Sequence, residues 1–265
     1  MIEKFTDTES GKIYYWISEK WQENRQSLFF LHGMTGDHTM FISQYEYFKD
    51  KYNILLWDAP AHGKSRPFKE FDYEKAAISI KTIFDTEDID NAVFIGQSMG
   101  GFITQAVIKR YPKIVSAFVS IDSTPYGNKY YSKSDIFWLK QIEWMAHLYP
   151  LKSMKRAIAK QNTATKAGYD NMLSMLIPYK KNELCHLMGI GYAAFIKDNC
   201  DLNITCPVLL IVGAKDNTGK VKAYNQLWSE KTGFTLILVE GAAHNSNVDQ
   251  PNMVNEYIEK FISLE

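Results

Sequence analysis

The sequence is short of three things. Only 3 cysteines occur in 265 residues, namely Cys185, Cys200 and Cys206, an odd and sparse set with no C-x-x-C spacing. That argues against a disulfide framework and against a thiolate metal site, and it suits buried thiols in a reducing compartment. Neither sign of charge is in surplus: Lys plus Arg number 30 and Asp plus Glu number 30, with no basic stripe or acidic tail. Nothing in that balance points to nucleic acid or to a membrane as a partner, and a small molecule is expected instead. No apolar run approaches a membrane span, and the opening residues Met1–Asp7 lack the apolar core of a secretory signal. The expectation is a soluble, cytoplasmic protein. Its length suits one large α/β domain carrying an insertion rather than two ordinary catalytic domains.

Against these absences stands one dense stretch, Ala92-Val93-Phe94-Ile95-Gly96-Gln97-Ser98-Met99-Gly100-Gly101. A short apolar β run leads into a serine flanked by glycines, and a helical pattern starts at once with Phe102, Ile103, Ala106, Val107 and Ile108. Such a strand, sharp turn and helix would hold Ser98 in a strained backbone conformation, with Gly96, Gly100 and Gly101 giving strand and helix room to approach. The serine would then stand at a helix N-terminus, where free N–H groups favour developing negative charge. This is the pattern of a nucleophile elbow.

The rest of the chain supplies partners for it. Residues 1 to 20 read as an edge hairpin. Ser27–Leu31 is a buried strand ending at His32-Gly33-Met34-Thr35-Gly36-Asp37, whose glycines let the backbone turn the Met34 N–H toward the cleft, with Met99 N–H as the second donor of an oxyanion hole. His32 precedes the serine and reads as a residue shaping this loop; Asp37 reads as the cap of a helix over 38–49. Asn53–Trp57 is another buried strand, and turn chemistry accounts for Asp58 and His62 in the loop that follows. Strands and helices alternate up to Val115–Ile121, so a mostly parallel eight-stranded sheet with helices on both faces is expected. The next clear strand starts near Pro207. The excess reads as a helical cap, residues 125–205, inserted in a core made of 1–124 and 206–265, with helices over 132–149, 151–161, 166–177 and 182–197. Trp138, Trp144, Met145 and Met172 are the cap residues expected to meet substrate in a soft apolar roof. Beyond the cap, Asp216 follows one strand and His244 follows the last. The chain order Ser98, Asp216, His244 suits a catalytic triad, with Asp122, which follows the sixth strand, as the rival acid.

Together these motifs resemble the α/β-hydrolase superfamily over nearly the whole chain: Leu31-His32-Gly33, Asp58-Ala59-Pro60-Ala61-His62-Gly63-Lys64-Ser65, the elbow, Asp216 and His244. Two departures are Ala61 and Ala243, where many relatives have glycine. The resemblance implies a cytoplasmic serine hydrolase of the carboxylesterase kind, with no metal and no cofactor. Its substrate would be a small, largely apolar ester or thioester, cleaved through an acyl-enzyme on Ser98. The same machinery also serves carbon-carbon bond hydrolysis, acyl transfer, perhydrolysis and slow-turnover ligand receptors, and the residues do not choose among these.

Overall fold

The structure is a computed structural model and describes residues 1–264. The alternating runs at the start become the hairpin β1 (Ile2–Thr8) and β2 (Gly11–Ile17). The continuous apolar runs become β3 (Ser27–Leu31), β4 (Asn53–Trp57), β5 (Ala92–Gln97), β6 (Val115–Ile121) and β7 (Val208–Gly213), and β8 (Thr235–Val239) closes the far edge. One eight-stranded sheet results, ordered β1-β2-β4-β3-β5-β6-β7-β8. Pairing is parallel from β4 to β8 and antiparallel only where β1 and β2 join. β3, β4, β5 and β7 are buried at every position, which is why they read as unbroken apolar runs without alternation.

Before β6 the connections carry α1 (Ile42–Phe48), α2 (Tyr73–Thr86) and α3 (Met99–Arg110). Between β6 and β7 run α4 (Lys133–Leu139), α5 (Ile142–His147), α6 (Leu151–Asn162), α7 (Lys166–Leu176) and α8 (Lys181–Asp198). After β7 come α9 (Val221–Thr232), the single turn α10 (Ser246–Asp249) and α11 (Pro251–Ile262). Start signals act where the sequence shows them: Asp72 accepts from Lys75 N to cap α2, and Thr165 accepts from Gly168 N to cap α7.

Alternate strand residues divide the core in two. Phe29, Leu55, Trp57 and Phe94 pack with Ile80, Ile83, Val107 and Trp228 of α2, α3 and α9. Leu28, Phe30, Ile54 and Val93 pack with Phe48, Val254 and Ile258 of α1 and α11, and with Met172, Met175 and Leu184 of the inserted helices. Each such side chain, fully buried, contributes roughly 1.5–3 kcal/mol.

Two expectations about helices need correction. The segment 132–149 is two helices, not one: Gln141 N bonds back only three residues, to Trp138 O at 3.0 Å, and a new helix starts from there. Little packing opposes the break, since α4 buries no residue and α5 only Ala146. The segment after Asp37 opens as a 3-10 turn over His38–Phe41 before α1, and Asp37 caps that turn by accepting from Thr39 N. Among the described residues no helix is long and apolar enough to cross a membrane.

Parallel pairing places the C-terminal ends of β3, β5, β6, β7 and β8 along one edge of the sheet. The loops carrying Met34, Ser98, Asp122, Asp216 and His244 all leave from that edge, the usual ligand side of an open α/β sheet.

Candidate active site

Ser98 lies between β5 and α3 with φ 49° and ψ −111°, a left-handed conformation that costs a non-glycine residue about 1–3 kcal/mol. The surroundings fix it there. Ser98 N donates to Ile121 O at 2.8 Å, and Ser98 O accepts from Gly101 N at 2.9 Å and from Ser123 Oγ at 2.7 Å. The glycines are required by approach distance: a Cβ on Gly100 would collide with the Leu31 carbonyl, and one on Gly96 with the Gly100 backbone. Both backbone groups of Ser98 therefore serve the turn, and its hydroxyl is left for other work.

That hydroxyl donates to His244 Nε2 at 2.9 Å, and His244 Nδ1–H donates to Asp216 Oδ2 at 2.8 Å. The tautomer follows from the network, because a carboxylate can only accept and so places the imidazole proton on Nδ1. Asp216 is held in turn by Thr218 N, which donates to its other oxygen at 2.7 Å. Burial opposes a charge on His244, but the hydrogen bond and charge of Asp216, with the charge of Asp122, outweigh it and raise its pKa above the ordinary 6.5. Burial likewise opposes the Asp216 charge, yet His244 and Thr218 hold the carboxyl below its usual range. The pair is built to carry a proton on the imidazole transiently beside a fixed anion.

The loop after β3 passes beneath the serine. Among the described residues no acceptor is hydrogen-bonded to the backbone N–H of Met34 or Met99, and both residues border the same cleft as Ser98. His32 is fully buried: its Nδ1–H donates to Gly33 O at 2.8 Å, its Nε2 accepts from Ala59 N at 2.9 Å, and burial lowers its pKa. It is a neutral strut between two loops. His62 is also buried and held neutral, with Nδ1 against Pro60 O at 2.9 Å. Asp58 accepts from His38 N, His38 Nδ1 and Lys64 N, as its turn role requires. Asp37, His38 and Asp58 lie close enough together to offer metal ligands, but those three donors already occupy the Asp58 carboxylate. At Ala61, a departure from the family pattern, φ is 66°, so alanine bears a local strain of roughly 1–2 kcal/mol that glycine would avoid.

Three residues that sequence reasoning left without a supporting role turn out to join the loops. Asp122, itself at φ 49°, accepts from Gly213 N, Ser246 N and Ser246 Oγ at 2.7–2.8 Å, tying the end of β7 to the loop after His244. Burial and the charge of Asp216 push its carboxyl well above the usual range. Gln97 Nε2 donates to His244 O at 2.7 Å. Asp249 accepts from Ala243 N and from Ala164 N, Thr165 N and Thr165 Oγ1, anchoring the start of α7 to the histidine loop. The only sequence signal for these was their place one or two residues from a motif, or in a short helix that no periodicity announces.

Two arms meet at Ser98. One, of about 360 Å³, is walled by Phe102, Tyr131, Trp138, Leu139, Phe195 and Tyr224. The other, of about 380 Å³, mixes Met40, Met172 and Met188 with Thr35, Gln161 and Asn162. Of the cap residues expected to meet substrate, Trp138 and Met172 border the cleft. Trp144 and Met145 do not. Trp144 is more than half exposed, with its indole N–H donating to Gln141 Oε1, and Met145 lines another groove with Tyr149 and Met154. For Met145 the break at Gln141 is the reason, because it ends the face that Met145 would share with Trp138 on one long helix; Trp144, six residues after Trp138, would lie about 120° away even on an unbroken helix.

Comparison with known proteins agrees with this fold. Residues 26–157 match a family model described as the alpha/beta hydrolase fold. The 3-oxoadipate enol-lactonase 2 of Acinetobacter baylyi is 24% identical over 250 residues, covering 90% of this chain and 89% of that protein. Two crystal structures superpose on nearly the whole chain. A hydrolase from Pseudomonas aeruginosa has a TM-score of 0.82 at 17% identity, covering 98% of both chains. The enol-lactonase of Burkholderia xenovorans has a TM-score of 0.75 at 18% identity, covering 98% of this chain and all of that one.

Proposed function

The chain belongs to the α/β-hydrolase superfamily, and from that premise we propose that it is a serine hydrolase acting on neutral carboxylic esters or thioesters with a bulky apolar part. One observation carries the reading: Ser98 Oγ, His244 and Asp216 stand in line at 2.9 and 2.8 Å. In this mechanism His244 takes the Ser98 proton as Oγ attacks the carbonyl carbon, and Asp216 orients and stabilises the imidazolium. The free N–H groups of Met34 and Met99 bind the oxyanion, a contribution of about 2.7–4 kcal/mol per donor in comparable sites. His244 then gives its proton to the leaving group, and water attacks the acyl-enzyme with His244 again as base. Labelling by a serine-directed phosphonate, followed by peptide mapping, tests this. The label belongs on Ser98, and a folded protein that takes none has no activated serine.

The apolar arm supports the choice of substrate. Its wall contains one cation, Lys220, and that is ion-paired to Asp135 at 2.7 Å, so a substrate carboxylate there would stay unpaired at a cost of several kcal/mol. Neutral esters with an aromatic or branched group should therefore exceed their carboxylate-bearing analogues in kcat/KM by about tenfold or more. Trp138→Ala should change the ranking of substrates by the size of that group, and Trp144→Ala should not. If Trp138→Ala keeps the wild-type ranking, the arm does not select the substrate.

Activity should rise with pH. Only the neutral imidazole accepts the serine proton, and the His244 pKa is raised above 6.5 by its carboxylate partners, so kcat/KM should climb through a midpoint above that value. A profile flat from about pH 5 to 8, with chemistry rate-limiting, would contradict a histidine base.

A further inference from the structure

The two arms of the cleft have five bordering residues in common: Met34, Ser98, Tyr192, Thr218 and His244. Four of them have work already. Ser98 and His244 react, Met34 offers its backbone N–H, and Thr218 N braces Asp216. Tyr192 is left over, at the junction that both halves of a substrate must share.

Its place is fixed from two sides. α8 is pinned at the preceding residue, where the Tyr73 hydroxyl donates to Gly191 O at 2.9 Å. The Met34 side chain occupies the space beside Gly191, because a Cβ there would collide with Met34 Cε. This part of the cap therefore rests on the loop that carries one of the two oxyanion donors, and Tyr192 follows directly.

Tyrosine hydroxyls inside proteins usually find a partner. Among the described residues that of Tyr192 has none. Its oxygen is not one of the sealed, unpaired polar atoms either, so it meets open space, and both arms of the cleft border this residue. The Thr218 hydroxyl, in contrast, is sealed beside Asp216. Burial raises the Tyr192 pKa, so the phenol keeps its proton and acts as a donor at neutral pH.

Stereochemistry says what it meets. Ser98 attacks the ester carbon from the sheet edge, and the other three substituents of that carbon bend away from Oγ toward the cap. The carbonyl oxygen goes to the N–H groups of Met34 and Met99. The acyl carbon accepts no hydrogen bond, and the bridging ester oxygen is the acceptor that remains.

We propose that the Tyr192 hydroxyl donates to the bridging oxygen of the substrate and thereby selects oxygen esters of ordinary alcohols over thioesters. This rests on the serine-hydrolase reading and narrows its substrate class. As the tetrahedral intermediate collapses, the bond from carbon to the bridging oxygen breaks, its electron pair stays on that oxygen, and the proton comes from His244 Nε2. Tyr192 keeps its own proton. Its hydrogen bond strengthens as negative charge builds on the departing oxygen, which speeds acylation. Sulfur accepts hydrogen bonds weakly, so a thioester gains little.

Tyr192→Phe tests this, because phenylalanine keeps the ring that borders both arms. Across esters of one acid, kcat/KM should fall about tenfold for alkyl alcohols, and distinctly more than for the matching nitrophenyl ester or thioester. The slope of log kcat/KM against the pKa of the leaving alcohol should steepen, a change that a packing role would not cause. A uniform loss across the series, or no loss, overturns the assignment. So does a variant that melts far below wild type, since the hydroxyl would then hold the fold together. Phosphonate labelling of the wild type separates this from the underlying reading. Label on Ser98 with an unchanged slope counts against Tyr192 alone, whereas wild-type protein that takes no label and cleaves no ester removes the serine hydrolase and the Tyr192 role with it.

Discussion

Ser98→Ala is expected to lower kcat/KM for ester hydrolysis by a factor on the order of 10⁴ to 10⁶ while leaving the fold intact. The size of the loss follows from what the side chain does. Among the described residues its oxygen is the one hydroxyl hydrogen-bonded to His244 Nε2, at 2.9 Å, and alanine leaves nothing in its place. The fold survives because the turn is held through the Ser98 backbone N–H and C=O, by Ile121 and by Gly101 and Ser123, and alanine keeps both. Alanine bears the φ of 49° no worse than serine does. Purified variant with wild-type circular dichroism and more than about a tenth of wild-type activity would end the nucleophile assignment.

Asp216→Asn should cost about 10³ to 10⁴ in kcat, with the site geometry kept. The amide group would offer His244 Nδ1 a donor where it now finds an acceptor, and the imidazole would settle in the tautomer that cannot take the serine proton. Asp122→Asn sets the comparison. Asp122 receives its hydrogen bonds from Gly213 and Ser246, not from the imidazole, so its loss loosens two loops and should cost no more than about tenfold. It should also move the pH midpoint of kcat/KM downward, because the charge of Asp122 helps to raise the His244 pKa. A larger loss for Asp122→Asn than for Asp216→Asn, in folded proteins, would move the acid of the triad to the end of β6.

Much of this was legible in the sequence because the strands are buried on both faces. Leu28, Phe29, Phe30 and Leu31 cannot be mistaken for a loop, and a parallel sheet sends the residues after each such run to one edge. The serine turn was legible for a different reason: glycines at 96, 100 and 101 answer a steric demand that few other structures make. The cap resisted reading because no proline or glycine marks the break at Gln141, although a Ser132–Asp135 capping box starts α4 and Pro150 follows α5. A periodicity continuous through Gln141 put Trp138 and Met145 on one face of a single helix, and the break separates them. Asp122, Gln97 and Asp249 were invisible in their roles because a buried polar residue reads from sequence like any turn residue. Their nearest long-range partners lie 91, 147 and 84 positions away.

The central claim is that acyl transfer passes through Ser98, and mass analysis of acid-quenched protein tests it most directly. The wild-type chain is mixed with an ester of an aromatic acid whose acyl-enzyme hydrolyses slowly, quenched within the first turnover, and digested. An increase equal to the acyl group should appear on the peptide that carries Ser98. It should be absent from Ser98→Ala and should accumulate in Asp216→Asn only at that variant's reduced rate. Steady turnover of the ester with no acylated intermediate, or acyl mass on a peptide that does not contain Ser98, would contradict the account.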